Sequence, residues 1–195
     1  MEIINGERLV LGTCYYPEHW DESLWRDDLK RMLENGIEVI RIAEFAWSKI
    51  ERYEGVFNYD FFDRFLDVAA DMGMKVIFCT PTATPPAWLT EKYPEVLNAN
   101  MDGVLYRHGG RRHYNYSSPK YQELTRIIVE KSASHYARHP AIIGWQIDNE
   151  INCEKNEFYY ESDTIAFRKF MMEKYGSIDA LNDACYPGNP REATK

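Results

Sequence analysis

The sequence predicts an α/β fold built on a parallel sheet, and three observations carry that prediction. Short apolar runs rich in strand-forming residues recur at residues 9–16, 37–42, 75–80 and 141–147. A stretch with helical spacing follows each run, so the order reads β-α-β-α-β-α-β-α. Strands that alternate with helices lie parallel, because a crossover helix returns the chain to start the next strand in the same direction.

The first strand, residues 9–16, is closed by Pro17. Asp21 caps a helix over residues 24–35, whose apolar side is Leu24, Trp25, Leu29, Met32 and Leu33 and whose stop is Gly36. The second strand is Ile37–Ile42. The second helix covers residues 60–72, with Phe61, Phe65, Leu66 and Ala69 facing inward and Gly73 after its end. The third strand, residues 75–80, opens a long connection carrying Pro81, Pro85, Pro86, a short helix at residues 87–92 and the pair Gly109-Gly110. Connections of that length in a compact domain are usually functional. Ser118 caps a third helix that starts on Pro119 and runs to about residue 138. The fourth strand is residues 141–147, and a last helix over residues 163–175 stops at Gly176. Residues 186–195 show no apolar periodicity and are expected to be a disordered tail behind a domain spanning residues 1–185.

Composition narrows the function classes. The 195 residues amount to one domain or a piece of a larger one. With 45% apolar and 28% charged residues the chain can bury a core. Thirty-one acidic residues against 23 basic ones leave a net charge of −8, which argues against nucleic acid and against anionic membrane surfaces as partners. No apolar run approaches the roughly 20 residues of a membrane span. The first residues lack the basic start and apolar stretch of a secretory signal, so the expected location is the cytoplasm. Cys14, Cys79, Cys153 and Cys185 form no C-x-x-C pair and are expected to be buried reduced thiols. Neither G-x-G-x-x-G nor a P-loop occurs, which leaves dinucleotide and nucleotide readings without support.

In a parallel α/β sheet, ligands bind at the carboxyl ends of the strands. Those ends deliver Tyr15 to Trp20, Arg41 to Trp47, Thr80 to Trp88 and Gln146 to Glu150, and each group carries acids, aromatics or hydroxyls. Aromatic faces beside carboxylates and amides suit a carbohydrate. Asn149-Glu150 is the sharpest pair. A glutamic acid just past a buried strand loses solvation, which raises its pKa and suits a general acid that protonates a glycosidic oxygen. The neighbouring amide can bind a sugar 2-OH. The bland alternative is a helix-capping acid. In the basic stretch Arg107 to His113, either the whole loop is solvated or one arginine turns inward to fix a carboxylate or a sugar hydroxyl. Glu44 is either a catalytic carboxylate or the ion-pair partner of Arg41.

At these motifs the sequence resembles family 42 of the glycoside hydrolases, β-galactosidases with a TIM-barrel catalytic domain. The resemblance rests on Cys14-Tyr15-Tyr16-Pro17-Glu18-His19-Trp20, Arg41-Ile42-Ala43-Glu44-Phe45-Ala46-Trp47, Thr80 to Leu89, Arg111-Arg112-His113-Tyr114 and Gln146-Ile147-Asp148-Asn149-Glu150. It implies a (β/α)8 barrel of which about the first four βα units are present, a half-barrel. It implies Glu150 as proton donor and acid/base of a retaining hydrolase acting on terminal β-D-galactosides. Asn149 and Arg111 match galactose-binding residues, with Arg112 an alternative register for the arginine, and Arg41 lies beneath the same pocket. The family's nucleophile is a glutamate about 150 residues beyond the acid/base, so these 195 residues are expected to be inactive alone. A galactoside-binding module, or a fragment without independent function, is the rival reading. Some members hold zinc through four cysteines. Asn115, Tyr159, Glu161 and Thr164 stand at those places here, so no metal and no cofactor is expected. A half-barrel would leave Val10, Ile40, Ile77 and Ile143, or their neighbours, facing an open concavity, and association into a homo-oligomer is expected to cover it.

Overall fold

A computed structural model describes residues 9–110, 112–151, 153 and 157–186. Arg111 and the tail 187–195 lie outside them. The elements follow in the order β1 (Leu11–Cys14), α1 (Trp25–Glu34), β2 (Ile37–Ile42), α2 (Trp47–Ile50), β3 (Glu51–Tyr53), β4 (Val56–Phe57), α3 (Asp60–Asp71), β5 (Lys75–Cys79), α4 (Ala87–Lys92), α5 (Pro119–Tyr136), β6 (Ile142–Gln146), α6 (Glu161–Tyr175) and α7 (Ile178–Cys185). Strands β1, β2, β5 and β6 form one parallel sheet in that spatial order.

Register separates the two faces of this sheet. Ile40, Val76 and Ile142 share one level, and Ile42 and Phe78 share another. Ile40, Ile42, Val76 and Phe78 are all fully buried beneath the helices. Ile40 therefore does not face the concavity, contrary to the sequence expectation. Arg41, Ile77 and Gly144 share a level on the opposite side, which is the concave one.

Helix α3 buries Phe62, Phe65, Leu66 and Ala69, an i, i+3, i+4, i+7 stripe. Phe62 is the inward residue, not Phe61; Phe61 sits at the edge, T-shaped against Trp25 at 5.2 Å with the Lys49 ammonium 4.0 Å from its centroid. Trp25 also meets Phe65 edge to face at 5.1 Å, and Phe62 meets Phe78 at 5.7 Å. Each large side chain removed from water in this layer contributes about 1.5–3 kcal/mol. Gly73 takes φ 76° directly after the helix, the left-handed stop that a side chain would strain.

The first strand is shorter than its apolar run. Leu9, ahead of β1, and Leu11 are exposed, and among the described residues β1 pairs with a strand on one side only. Asp21 caps a single 3₁₀ turn, Glu22–Leu24, through Ser23 N at 2.9 Å, and α1 starts only after it, with Leu24 left exposed. Ser118 caps α5 as its sequence predicts, its Oγ accepting from Tyr121 N.

Three features go beyond the sequence reading: helix α2, the hairpin β3–β4 and helix α7. The hairpin is organised by Glu51. Its buried carboxylate accepts from Trp47 Nε1 and from Gly55 N, both at 2.7 Å, while Trp88 Nε1 donates to its carbonyl. Of the four cysteines, Cys79 is buried, Cys153 half-buried, and Cys14 and Cys185 exposed, so burial of all four is corrected. Cys14 sits on the edge strand, and Cys185 closes a helix with no buried residue.

Candidate functional site at the carboxyl ends of the sheet

The last rung between β5 and β6 is Thr80 N to Gln146 O, 2.9 Å. Past it the chain turns sharply. Asp148 and Glu150 take φ values of 55° and 46°, the left-handed region that non-glycine residues avoid. Ile147 points outward and is exposed, while Asp148 and Asn149 are buried. Glu150 itself is exposed, and β6 before it is only half-buried, so the desolvation expected at this carboxyl is not supplied by the described residues. Asn149 and Glu150 line a narrow cleft together with Phe45, Ala83, Thr84, Arg112 and Cys153.

Among the described residues of the basic stretch, Arg112 turns inward. It too has a left-handed backbone, φ 58°, and is buried. Nη1 donates to the hydroxyls of Tyr114 at 2.8 Å and Tyr116 at 2.5 Å, and to Asp148 Oδ1 at 3.3 Å. Nη2 donates to the carbonyl oxygens of Asn149 and Glu150. The Asp148 carboxylate also accepts from Asn149 N at 2.6 Å and from Thr82 Oγ1 at 2.8 Å, while Asp148 N donates to Thr80 Oγ1 at 2.7 Å. Tyr114 stacks on Tyr121 at 4.8 Å, and the Tyr121 hydroxyl donates to Thr82 O. Burial pushes the Tyr114 and Tyr121 phenols well above their usual range, so both stay protonated donors.

Under the cleft lies a second network. Ala43 at φ 70° turns the chain after β2, and the buried Glu44 meets Arg41, with Nε to Oε2 at 2.7 Å. Glu44 also accepts from the Tyr16 hydroxyl at 2.8 Å. Of the two readings of Glu44, the structure has the ion pair. Arg41 Nη1 donates to Gln146 Oε1 at 2.9 Å, and Gln146 Nε2 reaches Asp148 O at 2.9 Å and Asn149 Oδ1 at 3.4 Å. Arg41 is thus joined to Asn149 through one side chain. Burial, reinforced by the neighbouring Glu44 carboxylate, pushes the Cys79 thiol up to about 12.

The positions compared with zinc cysteines do not fit that metal. Zinc in such sites takes thiolate or imidazole ligands, and here the set is an amide, a phenol, a carboxylate and a hydroxyl. The Asn115 amide donates to Asp163 Oδ2 at 2.6 Å and Ser162 Oγ at 3.1 Å, tying the loop to the start of α6.

Glu150, Asn149 and Arg41 come together at one rim; Arg111 lies outside the described residues. Asp148, Thr82 and Tyr114 lie in stretches the sequence singled out but were given no role of their own, and Tyr116 escaped the sequence reading. A signal for the tyrosines existed: Tyr114 and Tyr116 alternate, and alternate residues of an extended segment face one way. The bridge Leu97↔Tyr114 holds Tyr114 in extended chain.

Consecutive parallel βα units with polar groups gathered at the carboxyl ends of the strands define the TIM-barrel class of α/β proteins, here as a half-barrel of four strands. The chain belongs to glycoside hydrolase family 42, whose profile, described as β-galactosidase, matches residues 14–187. It is 44% identical over 176 residues to a β-galactosidase of Thermus thermophilus, covering 90% of this chain and 27% of that one. A β-galactosidase of Halorubrum lacusprofundi is 42% identical over 175 residues, 89% of this chain and 25% of the other. The crystal structure of the β-galactosidase from the psychrophilic Marinomonas ef1 superposes with a TM-score of 0.85 at 41% identity, covering 94% of this chain and 29% of its own. The chain therefore spans about a quarter of the length of the curated relatives it matches.

Proposed function

We propose that this chain carries the acid/base half of a retaining β-galactosidase site. The observation that supports the reading is the Asn149-Glu150 pair, lodged on the cleft rim at the end of β6 and braced from below. Glu150 protonates the leaving glycosidic oxygen and later activates water, while Asn149 contacts the sugar 2-OH. Arg111 binds the galactose, and Arg41 orders the floor through Gln146. A retaining mechanism needs a second carboxylate about 5–5.5 Å from the first. Glu44 is occupied by Arg41 and Tyr16, which argues against it as that second carboxylate, and the chain alone is expected to turn nothing over.

Calorimetric titration with galactose and an aryl β-galactoside assay test the reading together. Saturable galactose binding, lost in N149A, with no turnover is the expected result. Absence of binding by the unsubstituted chain sinks the site assignment. Turnover abolished by E150Q would place the second carboxylate within this chain.

Two further parts of the reading concern context. Exposed thiols at Cys14 and Cys185 suit a reducing compartment, which supports the cytoplasm. No helix among the described residues is long and apolar enough to cross a membrane. A second copy of the chain is the proposed cover for the apolar side chains left in water. Ile147 on the rim and Ile165, Phe167, Phe170 and Met172 on α6 are each more than half exposed. Sedimentation at micromolar concentration is expected to give a dimer, and a monomer with a sharp thermal transition would refute this.

A further inference from the structure

Two successive carbonyl oxygens, those of Asn149 and Glu150, converge on one guanidinium nitrogen, Arg112 Nη2. In extended chain, successive carbonyls point to opposite sides. They converge here because Glu150 has left the extended region, at φ 46°. Asp148, two residues earlier, is also left-handed, at φ 55°. Conformations of this kind persist only where surrounding groups over-determine them. Among the described residues, two threonine side chains, one glutamine and one arginine do so. Thr80 and Thr82 hold Asp148 from below, and Gln146 reaches its carbonyl. Arg112 reaches all three residues at once, through one carboxylate and two carbonyls.

We propose that Arg112 is a positioning residue, the strut that locks the Asp148–Glu150 peptide in its left-handed turn and so aims the Asn149 and Glu150 side chains into the cleft. This rests on the acid/base reading of Glu150, although the strut itself is independent of it. The guanidinium suits the task because its planar fork presents donors in fixed, divergent directions. A lysine ammonium is a single point and cannot span the carboxylate and both carbonyls. Tyr114 and Tyr116 hold the fork from behind, and the buried Asp148 balances its charge. The strut arrives from a residue 36 positions earlier, on the long loop after β5. The rim is therefore complete only when that loop is docked.

The test uses the full chain, with R112K as the shape-breaking variant and D148N as the charge-removing one. Amide exchange is read at Asp148, Asn149 and Cys153, whose N–H groups donate to Thr80 Oγ1, Asp148 Oδ1 and Glu150 O. In R112K these three amides are expected to exchange about 30-fold faster, the weight of one charge-assisted hydrogen bond, while amides of α3 stay unchanged. The Asn149 side-chain NH₂ signals, one sharp pair in the unsubstituted chain, are expected to broaden or multiply. D148N keeps the shape of the acceptor and is expected to fall between the two. Unchanged local exchange in R112K overturns the strut. So does acceleration spread equally into α3, which marks global loss, and so does faster exchange with a single sharp Asn149 pair, which marks a loop opened without losing its aim. If the unsubstituted chain fails to bind galactose, the proposed function falls, and the exchange ratio still decides the strut.

Discussion

Replacing Arg41 or Glu44 by alanine separates the two ends of one ion pair that differ in their access to water. The Glu44 side chain is 3% exposed and that of Arg41 35%. In E44A the guanidinium keeps Gln146 and is hydrated on its open side, so the loss reflects a part-exposed pair plus the Tyr16 hydroxyl left without its acceptor, about 1–2 kcal/mol. In R41A a carboxylate stays buried with the Tyr16 hydroxyl and a long contact from the Cys79 thiol at 3.9 Å. An uncompensated buried charge of that kind costs about 3–4 kcal/mol. The coupling between the two positions is expected at about 1–2 kcal/mol in a double-mutant cycle. Urea unfolding followed by tryptophan fluorescence reads this directly. With a slope near 2 kcal/mol per M, E44A shifts the midpoint down by about 0.5–1 M and R41A by about 1.5–2 M. An R41A loss no larger than that of E44A, or a coupling below about 0.3 kcal/mol, would refute the reasoning and make the pair a surface contact.

The core, the titrating histidine and the thiols each give one further test. Phe65 is fully buried against Trp25 and Tyr15, and F65A is expected to lose about 3–5 kcal/mol in the same unfolding assay. Burial holds the His113 imidazole below its usual pKa, its Nδ1 within 2.5 Å of Gly110 O. The unfolded chain then binds more protons below about pH 6.5, so stability falls as the pH drops through that point. The fall between pH 7.5 and pH 5.5 is expected to be smaller in H113L, and equal falls would remove His113 as a cause. Cys79, with its thiol pushed up to about 12 and buried, is expected to resist iodoacetamide in the folded chain while Cys14 and Cys185 react. Labelling of Cys79 at the rate of Cys14 would contradict its burial.

What the sequence by itself determined is whatever rests on local periodicity and local stops. The α3 stripe, the Ser118 cap and the run Ile37–Ile42 were legible because each depends on neighbours within a turn or two of chain. So was the gathering of polar residues at the strand ends, since parallel βα order sends those ends to one side. The hairpin β3–β4 was not legible. Its strands are three and two residues long, and what organises them is a buried carboxylate meeting Trp47 and Gly55. That Arg112 turns inward was also beyond the sequence, because Arg107, Arg111 and Arg112 share one basic loop and nothing local distinguishes them. The tertiary structure turns Arg112 inward through Asp148 and two carbonyls that face the same way only after the chain has turned left-handed past β6. Contacts between residues 36 and more positions apart leave no periodic trace, so the motif was legible at Asn149-Glu150 while the packing behind it was not.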